Sequence, residues 1–484
     1  MYPPIRVDFD QGTLVIKLEE LPEKFKNKKA LLPSLFPSYI KWDPRVKVVR
    51  CLGAFYRDLK RYFESQGFLM NSPFDPFPSL KTSEAGDQFL IQYALRPYQE
   101  EALEQWRREK GRGLIILPTG SGKTRLAVEA IARVKKSCLV IVPTLELLAQ
   151  WYGSLTKVFE GEIGRLGGGE HDVSSLTVTT YDSAYRWIDR YGDRFGLIVF
   201  DEVHHLAAST YLQIAQMAVA PYRLGLTATL ERSDFRHVVL KEWVGDVVYR
   251  RTIAQISGDA LASYKIESHR VFLNTREKEA FEKEKKVYQE YLRDNGLRGR
   301  KAFPELIERS PLDLKARSAL WAFQAARKIL MNAQAKVKKL EELLEKFPKQ
   351  KFLIFTEYND LVYQISKLYF LPAITHLTSP KERKWILEAF RQGKVRAIVT
   401  SKVLNEGVDV PEANIAVILG GSGSKREHVQ RLGRILRPSH QKEALFIEIL
   451  TKEERSISYR RRNDSVFKRK EPPLQRELFS YAPK

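Results

Sequence analysis

The sequence predicts an α/β protein built from two parallel-sheet units in tandem, with a small α/β module before the first and a helical insertion between them. Three observations lead there. Between about residues 90 and 230, the short apolar runs GLIILP, CLVIVP, LTVTTY, LIVFDE and LGLTAT alternate with helical patterns. Strands buried on both faces by flanking helices read this way. A second set, FLIFTE, AIVTS and IAVILGG, follows from about residue 350, and 484 residues exceed one ordinary hydrophobic core.

The elements follow in chain order. Ile5, Val7 and Phe9 alternate onto one face, Asp10-Gln11-Gly12 makes a turn, and Leu14, Ile16 and Leu18 resume the period of two. This hairpin and a helix over Phe55–Glu64 define an N-terminal domain at 1–70. Pro73, Pro76 and Pro78 mark 71–89 as a linker. The first sheet unit spans 90–255. A connecting strand and helical insertion fill 256–345, where residues 270–330 carry 15 Lys and Arg against 9 Asp and Glu. There Asn274 caps a helix with Glu277 at the return position, and Phe281, Tyr288 and Leu292 share its face. A second periodic run starts at Asp313 and continues through Leu320, Phe323, Leu330, Val337 and Leu344. The second sheet unit covers 346–455, and 456–484 is a basic tail containing Arg460, Arg461 and Arg462.

Composition narrows the function. With 81 Lys and Arg against 59 Asp and Glu, the net charge is +22, which points to a polyphosphate partner. Cys51 and Cys138 are distant from each other and lack neighbouring ligand residues, which excludes a disulfide framework and a cysteine zinc site. No apolar run approaches the ~18 residues of a membrane span, and the start MYPPIRVDFD lacks a signal-peptide core. The expectation is a soluble, cytoplasmic, nucleoid-associated chain.

Two motifs carry chemistry. LPTGSGKT at 117–124 follows a strand and precedes a helical run, the context a phosphate loop requires. Gly120 and Gly122 let backbone N–H groups approach phosphates, beside Pro118, Thr119 and Ser121. Lys123 reaches the β- and γ-phosphates and Thr124 places its hydroxyl on Mg²⁺. Leu117 stands where the strict pattern has glycine. In LIVFDEVHH at 197–205, a buried strand ends in two carboxylates: Asp201 beside the metal and Glu202 beside the attacking water.

These motifs, with LTAT at 226–229 and QRLGRILRP at 430–438, occur in the order and spacing of superfamily 2 helicases. DEVHH, LTATLERSD and QRLGRILR resemble the XPB branch, the repair and transcription helicase of archaea and eukaryotes, in a short form. The resemblance covers roughly residues 90–450 and implies two RecA-like domains, a thumb-like helical insertion and a damage-recognition-like N-terminal domain. It implies ATP and Mg²⁺ as cofactors. Arg96 and Gln99 in LRPYQ resemble the adenine-reading segment. Pro143, Thr144, Thr180 and Tyr181 resemble segments that hold a DNA backbone, and Thr227 and Thr229 resemble hydroxyls coupling nucleotide to strand. In the second unit, Thr400 resembles a phosphate contact, while Gly407 and Asp409 face the nucleotide. Gln430, Arg434 and Arg437 repeat at helical spacing, and in the family these arginines reach the γ-phosphate; such fingers contribute ~10³–10⁵ in rate.

One position departs from the branch. Its Arg-Glu-Asp trio, implicated in opening duplex, corresponds here to Arg232, Ser233 and Asp234. The resulting expectation is an ATP-dependent DNA translocase or helicase that opens duplex, forked or bubble DNA in nucleotide excision repair. A repair nuclease is the partner the resemblance suggests. The rivals are an ATP-gated clamp that recruits a nuclease, an RNA helicase and a restriction-type translocase.

Overall fold

Runs that are apolar on both sides of the backbone build the first sheet. The computed structural model describes residues 4–22, 25–27, 30–31, 38–75, 77–80, 94–230, 236–256, 264–401, 413–420 and 444–454. The chain divides into two units, Met1–Arg251 and Thr252–Lys484.

In the first unit eight strands lie side by side. Their order is Glu170–His171, Ile163–Gly167, Leu176–Thr180, Cys138–Val142, Leu197–Phe200, Tyr222–Thr227, Arg112–Ile116 and Val247–Arg250. All neighbours are parallel except the first two. Every residue of Cys138–Val142, Leu176–Thr180 and Leu197–Phe200 is buried. Alternate side chains serve opposite faces. Ile115, Val140, Val199 and Leu226 meet Trp106, Ile131 and Leu148 of the helices Pro97–Arg108, Lys123–Val134 and Leu145–Leu155. Ile116, Ile141 and Phe200 meet Tyr181, Ile188 and Ile214 of the helices Tyr181–Tyr191 and Ser209–Met217. Because these strands run the same way, their carboxyl ends share one edge.

The N-terminal module is an antiparallel sheet in the order Asp8–Asp10, Thr13–Lys17, Val48–Leu52 and Lys41–Asp43, followed by the helix Tyr56–Ser65. The hairpin turns at Gln11 and Gly12, both with positive φ, and pairs Asp10 with Thr13. Phe63, Leu59 and Tyr56 of the helix cover Leu14, Ile16, Val49 and Cys51. The module rests on the first sheet unit through Gly53, where a Cβ would lie 2.0 Å from the Met217 carbonyl oxygen. Beside it, Phe55 packs edge-on against Trp243 with ring centres 5.8 Å apart.

The segment read as a linker differs from that expectation over 71–75 and 77–80. Phe74, Phe77 and Leu80 are buried, and both phenylalanine rings meet Tyr56. Asp75 accepts from Lys60 at 2.6 Å and also pairs with the Tyr56 hydroxyl. Pro73 and Pro78 lie in no helix or strand, as expected, but the aromatic residues near them anchor the segment to the module. Residues 81–93 lie outside the described residues.

In the second unit six strands are all parallel, in the order Tyr264–Val271, Ala444–Thr451, Ile415–Leu419, Phe352–Thr356, Ala397–Thr400 and Ala373–Ile374. The connecting strand is thus an edge of this sheet rather than part of the insertion. The insertion itself is three helices, Thr275–Asp294, Ala302–Arg309 and Leu314–Met331. Asn274 and Glu277 form the expected capping box. The periodic run from Asp313 breaks at Asn332-Ala333, because the Glu277 carboxylate also accepts from Gln334 N at 2.9 Å and starts a new helix, Gln334–Lys346. That helix carries Lys336, wholly buried, with its ammonium 3.0 Å from Glu454.

Replacing Gly53 with Ala forces a methyl group into the Met217 carbonyl. Overpacking of this kind costs ~1–3 kcal/mol. A lowered melting temperature with faster proteolysis within residues 1–80 is expected, read by thermal melts and timed digestion.

A candidate nucleotide site at the carboxyl edge of the first sheet

Ile116 ends its strand at the shared edge, and residues 117–122 turn into the helix Lys123–Val134. The turn depends on glycine. Gly120 and Gly122 have φ of +83° and +80°, and a Cβ on Gly122 would lie 2.6 Å from Gln99 Nε2. Lys123 Nζ donates to the carbonyls of Leu117 at 3.2 Å and Pro118 at 3.4 Å, which holds the ammonium over the loop. The hydroxyls of Thr119 and Ser121 are buried and have no hydrogen-bond partner among the described residues. Orphaned donors, glycine-permitted N–H groups and a helix start together suit phosphate oxygens. Thr124 sits in the first turn of that helix.

Gln99 differs from the adenine-reading role. It is 1% exposed, its Nε2 donates to Ser121 O at 3.0 Å and Gly122 O at 3.1 Å, and its Oε1 accepts from Arg96 N. Both ends of the amide are engaged, so in this structure Gln99 braces the loop from behind. Tyr98 adds a second brace, donating to Ser121 O at 2.6 Å.

Asp201 follows the strand Leu197–Phe200 and is 7% exposed. Its Oδ2 accepts from Trp151 Nε1 at 2.8 Å and its Oδ1 from Glu202 N at 3.0 Å. Its backbone carbonyl accepts from the Tyr181 hydroxyl at 3.0 Å. Burial, then the carboxylates of Asp201 and Glu202, push that phenol well above its ordinary pKa, so it stays a neutral donor. Glu202 has φ of +46°, a strained conformation for a residue with a side chain. Its Oε2 lies 3.3 Å from Thr227 Oγ1 and 3.4 Å from His204 Nδ1. Thr227 Oγ1 is also 3.0 Å from His204 Nδ1 and 2.8 Å from Thr229 O. One hydroxyl therefore joins the LIVFDEVHH and LTAT strand ends.

The expected backbone-binding residues divide. Thr144 and Thr180 are N-caps, accepting from Leu147 N and Ser183 N. Pro143 and Thr144 are half-buried at the edge. Tyr181 is 2% exposed, which removes it as a direct contact and makes it a support for Asp201. Thr400 is fully buried and donates to Ile374 O at 2.8 Å, so it ties two strands of the second sheet instead of touching phosphate. Arg232, Asp234, Gly407, Asp409, Gln430, Arg434 and Arg437 lie outside the described residues. Sequence reasoning passed over Trp151, Tyr98 and His204. Trp151 had a signal, since it closes the run PTLELLAQW that begins at Pro143, at helical spacing from Thr144.

Comparisons bear on the same segments. Residues 92–232 match the family described as type III restriction enzyme, res subunit, and residues 335–439 the helicase conserved C-terminal domain. Residues 7–70 match the xeroderma pigmentosum group B helicase damage recognition domain. The chain is 40% identical over 430 residues to the DNA 3'-5' translocase XPB2 of Sulfurisphaera tokodaii, covering 88% of this chain and 95% of that one. It is 29% identical to the DNA 3'-5' helicase XPB of Mycobacterium tuberculosis, over 76% of this chain and 62% of the relative. Against the Arabidopsis thaliana general transcription and DNA repair factor IIH helicase/translocase subunit XPB2 the identity is 28%, over 71% and 43%. This chain thus spans nearly all of the archaeal relative and about half of the longer ones.

Trp151→Phe keeps the ring and removes the donor to Asp201. We expect turnover of ATP to fall about tenfold, or ~1.4 kcal/mol of barrier, while the melting temperature drops by only a few degrees. Steady-state kinetics beside a thermal melt checks both.

Proposed function

The chain belongs to the XPB family of DNA helicases and translocases, and from that premise we propose that it hydrolyses ATP to move 3' to 5' along DNA and open it locally during excision repair. The observation that carries the reading is the single edge where the glycine-turned loop, the fixed Asp201 and the strained Glu202 meet.

The residues present fit a magnesium nucleotide. Gly120, Gly122 and the helix N-terminus bind phosphate, the orphaned hydroxyls of Thr119 and Ser121 offer it donors, and Lys123 offsets the charge on its outer oxygens. Mg²⁺ would be held by Thr124, at the start of the helix after the loop, and Asp201, with phosphate and water completing its shell. Bound there, it neutralises the charge that develops on the transferred phosphoryl group. Glu202 orients the attacking water. Its contact with Thr227 and His204 supports a role in passing the state of the nucleotide to LTAT. The same reading gives Gly407 and Asp409 to the nucleotide and Gln430, Arg434 and Arg437 to the γ-phosphate.

Coupling to DNA has a physical route. The helices Leu145–Leu155 and Tyr181–Tyr191 begin at the caps Thr144 and Thr180, and each sends one buried aromatic residue to Asp201. A DNA backbone held at those helix starts would press on the metal-holding carboxylate through Trp151 and Tyr181. The residues 1–70 are assigned to lesion or distortion recognition and the three-helix insertion to gripping duplex. A repair nuclease is the partner we propose, on the resemblance to short archaeal members alone. Ser233, in place of the branch's glutamate, favours translocation with weak strand separation.

Lys123→Ala is expected to abolish ATP turnover at an unchanged melting temperature. Wild-type turnover is expected to rise most with duplex, forked or bubble DNA and least with RNA. Equal stimulation by RNA would move the assignment to an RNA helicase. Triplex displacement without strand displacement would indicate translocation alone, and neither would indicate a clamp.

A further inference from the structure

The end of the first sheet opposite the phosphate loop holds a second set of cations. Arg112 opens the strand Arg112–Ile116, and its Cα partner in the next strand is Arg223. Arg57, from the helix of the N-terminal module, reaches the same place. Its Nη1 donates to the Lys110 carbonyl at 3.0 Å, and its guanidinium lies 5.0 Å from the centre of the Tyr222 ring. That arrangement is fixed by the backbone: Lys110 and Gly111 both have positive φ, and a Cβ on Gly111 would lie 2.4 Å from the Tyr222 ring. Arg61 stands one helical turn beyond Arg57, where like charges repel.

Arg223 accounts for itself. Its guanidinium is fully buried and donates to the carbonyls of Ala215, Ala218, Ala220 and Trp243. Arg112 does not. Its Nε is buried and has no hydrogen-bond partner among the described residues, and burial followed by the nearby Arg57 guanidinium lowers its pKa to about 10. It remains charged at neutral pH. The carboxylate that acts on Arg57, Arg112 and Arg223 alike is Asp58, which itself lies 3.9 Å from Arg61. Among the described residues Asp58 is thus the carboxylate common to Arg57, Arg112 and Arg223, although buried cations are ordinarily paired one to one.

We propose that Arg57, Arg61 and Arg112 form a phosphate-binding site at the seam between the N-terminal module and the first sheet. The strand Arg112–Ile116 separates it from the nucleotide loop by about 16 Å, so it is a different site from the one that binds ATP. Guanidinium forks match phosphate oxygens bidentately, and the unpartnered Arg112 N–H supplies a donor already desolvated. The phosphate is that of a nucleic-acid backbone or a free anion. Because the site spans the seam, its ligand would tie the module to the motor domain. The inference stands apart from the ATPase reading: loss of turnover in Lys123→Ala does not touch it.

Arg61→Gln, Arg112→Met and the double variant test it in the full-length chain. If the ligand is backbone phosphate, the slope of log affinity for a duplex against log salt becomes shallower by about 0.9 for each phosphate no longer neutralised, with DNA-independent ATP turnover unchanged. If it is a free anion, the slope stays, and the rise in melting temperature that inorganic phosphate gives in a Lys123→Ala background is reduced by the same substitutions. Salt slope and phosphate response both equal to wild type would overturn the proposal. So would a drop of many degrees for Arg112→Met in phosphate-free buffer, since that residue would then serve the fold. The exposed Arg61→Gln keeps the test open if Arg112→Met fails to fold.

Discussion

The position of the Asp201 carboxylate is the constraint on which the first unit depends. A parallel sheet delivers strand ends to one edge, but delivery alone leaves a carboxylate free to rotate. Here Trp151 and Glu202 N hold its two oxygens, and Tyr181 holds the carbonyl behind it. The aromatic residues come from different helices, so a displacement of either is felt at the carboxylate. Glu202 is bent into a left-handed conformation beside it. Strain of that kind persists only where surrounding contacts over-determine it, and the Thr227–His204 contacts do so.

The phosphate loop follows the same logic. Gln99 and Tyr98 hold Ser121 by its backbone carbonyl and leave its hydroxyl without a protein partner among the described residues. Bracing acts on the carbonyls of the loop, and the donors remain for a ligand. A residue that reads as base recognition in sequence thus acts on loop shape in this structure.

What was legible in the sequence follows periodicity and local chemistry. The strands around 138–142, 197–200 and 352–356 are buried on both faces and are too short for helices. The capping box at Asn274 and the hairpin at Gln11-Gly12 are short-range patterns and appear as read. The failures were long-range. Nothing near Tyr181 or Thr400 signals that a hydroxyl turns inward to a carbonyl twenty or more residues away. Nothing in Phe74-Asp75-Pro76-Phe77 announces Tyr56 as its partner. The break at Asn332-Ala333 falls inside an unbroken apolar period, since its cause is Glu277, far upstream.

The second sheet has a consequence for how the chain assembles. Its edge strand Tyr264–Val271 pairs along its length with Ala444–Thr451, which emerges from the ribosome about 180 residues later. Until then the earlier strand has exposed amide groups and no neighbour in the sheet, although Phe352–Thr356, Ala373–Ile374, Ala397–Thr400 and Ile415–Leu419 can already pair with one another. Pairing across so long a stretch of chain carries a large loop-closure entropy, so closure of this edge is expected late in folding. The nascent chain is vulnerable to aggregation throughout that interval, and a chaperone acting on it would have most to gain there.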